Sequence, residues 1–96
     1  MVTVIIDEEV CAAKVDALSG IVETQFWDFV SRIVANPDDP ALIQAERKGF
    51  RSCQFTSGWI LDWEVTRRRR RSFMVDIFTT GIPEEVKLWD IRRVGP

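Results

Sequence analysis

The sequence predicts an α+β fold: an N-terminal strand, an αα-hairpin, then a three- to four-stranded antiparallel sheet packed on the helices. Three observations carry this. Val2 to Ile6 is a short β-branched run. Val22, Phe26, Phe29, Val30 and Ile33 recur at helical spacing. From Phe50 onward the apolar period changes to two, as in Trp59, Leu61, Trp63 and Val65.

Each element has a local cause. Asp7 stands where a helix N-cap belongs, with Glu8 and Glu9 in the first turn, where the helix dipole favours acids. Val10, Ala13 or Lys14, Ala17 and Leu18 then mark a short amphipathic helix that stops at Ser19-Gly20. In the second helix Trp27 and Val34 widen the apolar stripe, and Trp27 is expected in the core. Asn36-Pro37 ends it, because a residue before proline avoids the α region. The short join between the helices predicts an antiparallel pair. Pro37-Asp38-Asp39-Pro40 is a turn, and Ala41 to Lys48 reads mainly as a connector.

The strand region divides at turns over Thr56-Ser57-Gly58, within the run Arg67–Arg71, and at Thr80-Gly81. Phe73 to Phe78 reads either as an edge strand open to another chain or as a paired internal strand. Val86 to Ile91 makes the last strand. Connections this short predict antiparallel pairing throughout. There is no repeat and no linker, so residues 1–96 form a single domain.

Composition narrows the chemistry. Hydrophobic residues at 46% and charged residues at 29% describe a folded chain. No apolar run reaches the roughly 18 residues that span a membrane, and the start lacks a signal-peptide pattern, so a cytoplasmic location is expected. With no histidine, Ser-His-Asp and Cys-His catalysis are excluded. Two distant cysteines, Cys11 and Cys53, predict free thiols, no metal site and no cofactor.

The net charge of −2 hides a polarity. Residues 1–46 carry nine acids against Lys14 and Arg32, whereas residues 47–96 carry eleven bases against six acids. The basic half suits an anionic partner. Arg67, Arg68, Arg69, Arg70 and Arg71 form its densest cluster. They read either as a solvated hairpin tip or as a site for an acidic protein or nucleic acid, and alternation would split them between two faces. Trp59 and Trp63 share a face with Leu61 and Val65, as a core requires. Trp89 falls with Ile91 and is not assigned. Asp62 and Glu64 share one strand face. There, cross-strand ion pairs compete with acid-base work. Arg51, two residues before Cys53, would lower that thiol's pKa if the two side chains met; otherwise Cys53 is a buried, inert thiol.

The order strand, helix, helix, antiparallel strands, together with Asn36-Pro37, Gly49-Phe50-Arg51, Gly58-Trp59 to Val65 and Asp90-Ile91-Arg92-Arg93, resembles the RelE/ParE superfamily of type II toxins. The resemblance spans nearly the whole chain. It implies the toxin half of a toxin–antitoxin pair with a cognate antitoxin as partner. Such a toxin would cut ribosome-bound mRNA or act on another essential target such as gyrase. It further implies that Arg51, Arg92 and Arg93 are catalytic and that Lys48 binds phosphate. The sequence departs from that pattern. An arginine expected near Cys53 is missing, Ile60 replaces another, and there is no histidine or tyrosine. Those departures favour the alternative of a non-catalytic module, either a degenerate toxin scaffold or a phage-type inhibitor, that sets its arginine run on an acidic partner.

Overall fold

The computed structural model describes residues 2–68 and 82–95, excepting the side chains of Arg68 and Ile82. The chain is α+β. β1 (Thr3–Ile6) leads to α1 (Cys11–Asp16) and α2 (Gly20–Ala35), then a 3₁₀ turn (Pro40–Leu42). β2 (Ala45–Arg47), β3 (Phe50–Thr56), β4 (Trp59–Arg68) and β5 (Ile82–Arg93) follow. The expected strand from Phe73 to Phe78 and the turn at Thr80-Gly81 lie outside the described residues.

The sheet differs from the expected antiparallel one. Among the described residues it has five strands in the order β1-β5-β4-β3-β2 and is mixed. β2 to β5 pair antiparallel, but β1 lies parallel to β5, Thr3 opposite Glu85 and Ile6 opposite Leu88. A parallel pair needs a long crossover, and here nearly the whole chain is that crossover. The region read as a connector holds β2, whose three residues are all exposed and so carry no apolar alternation. β4 also continues through Arg67 and Arg68, and the remainder of the arginine run, within which a turn is expected, lies outside the described residues.

The helices do not form an antiparallel pair. α1 makes its main contacts with β5 and α2 with β3. At six residues α1 is about 9 Å long, too short to lie along a 16-residue helix of about 24 Å. Asp7 does cap, but one turn earlier than the helix proper. Its Oδ2 accepts the N–H of Val10 at 2.8 Å, and its carbonyl accepts from Cys11 and Ala12. Gly20, at φ 61°, turns the chain from α1 into α2.

One core forms between the helices and one sheet face. It holds Cys11, Val15 and Leu18 from the α1 region, Phe26, Phe29, Val30 and Ile33 from α2, and Leu42. The sheet contributes Cys53, Leu61, Trp63, Val86, Leu88 and Ile91. The α2 stripe therefore buries the residues its spacing marks. Trp27 is the exception, 42% exposed. It follows Phe26 by a 100° step, which carries it off the stripe, and its ring meets Phe26 edge-on at 5.0 Å.

Among the described residues, no helix packs on the other sheet face. A bulge in β5 decides which residues it carries. Leu88 pairs with Trp63 and Asp90 with Asp62, so Trp89 is the extra residue. The bulge resets the alternation, burying Val86, Leu88 and then Ile91. Trp89 is thereby placed away from Ile91, against Phe50 and Glu64.

Candidate functional site

The cations marked by sequence occupy three separate settings. Arg51 sits in β3 opposite Trp63, on the helix-covered face. Its side chain is 12% exposed, and its guanidinium carbon lies 5.3 Å from the Trp63 ring centroid. Nη1 donates to the Pro37 carbonyl at 2.6 Å and to Asp38 Oδ1 at 3.2 Å, and Nε donates to Glu46 at 2.5 Å. Arg67 also donates to Asp38. Asp38 thus ties the loop after α2 to both β3 and β4. Sequence inspection missed Asp38 and Glu46 as partners, because only the fold brings Asp38 from thirteen positions upstream, and only the β2–β3 register sets Glu46 opposite Arg51.

Arg92 lies on the open face. It grips Asp62 with two hydrogen bonds, Nε to Oδ2 at 2.6 Å and Nη2 to Oδ1 at 2.9 Å. Ser52 Oγ donates to the same carboxylate at 2.6 Å. The hydrogen bond to Asp62 raises the Arg92 pKa above its ordinary value. Beside this pair, Trp89 Nε1 donates to Glu64 at 3.2 Å, Lys87 Nζ lies 3.7 Å from the Trp89 ring centroid, and the Phe50 ring meets Trp89 at a tilt, centroids 5.7 Å apart. Asp62 is therefore ion-paired across strands, as that alternative holds, whereas Glu64 accepts a hydrogen bond from the neutral Trp89 indole. Among the described residues no three His, Cys, Asp or Glu side chains are grouped to hold a metal.

Arg93 returns to the helix-covered side, 5.4 Å over Trp59. Trp59 is four residues along β4 from Trp63, the partner of Arg51, or about 13 Å. Lys48 is exposed in the β2–β3 turn, where Lys48 at φ 53° and Gly49 at φ 86° supply the positive angles of a two-residue hairpin. Arg51, Arg92 and Arg93 consequently share no cleft. Arg69, Arg70 and Arg71 lie outside the described residues.

Neither thiol is poised as a nucleophile. Burial pushes Cys11 up to about 11, with Asp90 and Asp7 adding to the rise. Burial likewise raises Cys53, and no hydrogen bond links it to Arg51.

Asp38 gives the clearest pH signature. The hydrogen bond from Arg67, reinforced by Arg51, holds its carboxyl below the usual range. A depressed carboxylate stabilises the fold at neutral pH, and that contribution is lost as pH falls through the folded value. Urea midpoints of the wild type are therefore expected to drop below about pH 4. In Asp38→Asn the midpoint is lower at pH 7 and its acid dependence flatter.

The chain matches no protein-family model, no curated protein and no solved structure. Its function has to be argued from this geometry.

Proposed function

We propose that this chain is a cytoplasmic, non-catalytic protein-binding module that presents an arginine-rich ribbon to an acidic partner, on a scaffold resembling a degenerate RelE/ParE toxin. One observation carries the choice over a ribonuclease. The three arginines that would form a phosphate-binding centre are apart: Arg51 is engaged by Asp38 and Glu46, Arg92 by Asp62, and Arg93 lies over Trp59. Cleaving RNA requires cations converging on one scissile phosphate and a group to activate the 2′-hydroxyl.

The β4–β5 ribbon favours binding. β3 begins, at Phe50, opposite Glu64, and β1 begins, at Thr3, opposite Glu85. Arg67 and Arg68 pair with Pro83 and Ile82 beyond both of those neighbours. The run of five arginines begins on this two-stranded extension. Arg67 itself donates to Asp38, so the charge offered to a surface is that of the arginines that follow it in sequence. An acidic partner would add the long-range attraction that steers association, weakened by salt.

The test joins two measurements. Purified chain added to translating ribosomes is expected to leave mRNA intact. A nuclease-treated pull-down is expected to retain one stoichiometric acidic protein, lost at high salt and lost with Arg69→Ser/Arg70→Ser/Arg71→Ser. Chain-dependent mRNA cleavage that disappears in Arg92→Ala would establish the toxin activity instead.

A further inference from the structure

The two edges of the sheet are not alike. The β2 edge is three residues long and carries Glu46 and Arg47, the charged guards usual on exposed strands. The β1 edge carries none, since Val2 to Ile6 holds no ionisable side chain. Among the described residues β5 is the only strand that pairs with β1. Ile5 is 38% exposed on the open face. Val2, Val4 and Ile6 are only partly buried against the core.

The hydrogen-bond phase says which groups this edge offers. Asp7 N donates to Leu88 O at 2.9 Å, so Asp7 faces β5. Main-chain groups alternate along a strand, so Thr3 and Ile5 also face β5. Val2, Val4 and Ile6 direct their N–H and C=O groups outward, and their side chains lie on the helix-covered face.

We propose that β1 pairs antiparallel with β1 of a second copy of this chain, on a two-fold axis through Val4, making one continuous ten-stranded sheet. In this register Val4 faces its own copy and Val2 faces Ile6. All are residues with outward main-chain groups, giving about six hydrogen bonds. The same pairing sets the half-buried Val2, Val4 and Ile6 side chains of the two copies beside one another, so each core edge covers the other. Thr3 of each copy lies opposite Ile5 of its partner on the open face. No like charges meet, because the paired segment has none. A second copy satisfies the hydrogen-bond phase and the apolar edge together, as an isologous contact requires.

Sedimentation equilibrium under reducing conditions tests this. The wild type is expected to move from the mass of one chain towards twice that mass over roughly 1–300 µM, the range for a small interface. Thr3→Glu/Ile5→Glu changes only exposed side chains and sets carboxylates opposite one another across the axis. It is expected to weaken the dimer at least about tenfold, with an unchanged far-ultraviolet circular dichroism spectrum. Thr3→Glu/Ile5→Lys sets opposite charges across the axis and is expected to restore the dimer. A wild type that stays monomeric at 300 µM overturns the proposal. So does a dimer indifferent to the double glutamate, or a glutamate–lysine variant that remains monomeric.

Discussion

Arg51→Ala is expected to destabilise the fold by about 3 kcal/mol, lowering Tm by roughly 15 °C. The loss has four parts that one side chain now holds together. The Pro37 carbonyl, on a buried residue, loses its donor. Asp38 and Glu46 each lose a cation, and the Trp63 ring loses its cover. Arg51→Lys is expected to recover only a small part, because a single ammonium does not reproduce the forked guanidinium. Arg92→Ala provides the contrast. Its side chain is 49% exposed, and exposed pairs contribute little, so a change under about 1 kcal/mol is expected. Urea denaturation of the three variants, with unchanged slopes, reads these differences directly. Equal losses for Arg51→Ala and Arg92→Ala would falsify the division into a structural and a surface arginine.

Trp63→Ala is expected to cost about 4 kcal/mol, the largest single effect in the sheet. Trp63 is fully buried at the centre of β4, with Leu88 opposite on one side and Arg51 on the other. Its Nε1 has no hydrogen-bond partner. Trp63→Phe therefore forfeits volume but no hydrogen bond, and is expected to cost about 1–2 kcal/mol. Trp27→Ala, at an exposed helix position, is expected to cost less than about 1 kcal/mol. Thermal melts of the three variants rank the tryptophans. A loss at Trp27 matching that at Trp63 would show that the α2 rim packs against something further.

The sequence made visible whatever depends on neighbours along the chain. α2 follows from its apolar spacing and from Asn36-Pro37. β3 and β4 follow from alternation across a glycine turn. Arg92 and Arg93, grouped in one set by the resemblance, face opposite ways because they are adjacent in a strand. What the sequence did not reveal depends on distant partners. Parity in Val2–Ile6 says that a strand forms, not that it lies parallel to one more than eighty positions on. The bulge at Trp89 appears only as a slip from spacing two to spacing three between Val86, Leu88 and Ile91. Without register to fix it, Trp89 looks like a companion of Ile91. The site followed the same rule. The charges of Arg51 and Arg92 were plain, but whether a carboxylate already held them depended on Asp38, Glu46 and Asp62 arriving from elsewhere.

The pairing of β1 with β5 has a consequence for how the molecule is made. During translation β1 leaves the ribosome long before its partner exists. The interval from Thr3 to Glu85 takes on the order of 4–16 s at ordinary synthesis rates. The β3–β4 hairpin closes locally within that time, but the first strand waits. For those seconds β5 is not yet there to receive this uncharged β-branched segment, and pairing this distant in sequence forms slowly even afterwards. Among the described residues, no strand that precedes Ile82 pairs with β1. The β5 segment, Ile82–Arg93, therefore decides whether β1 gains its partner.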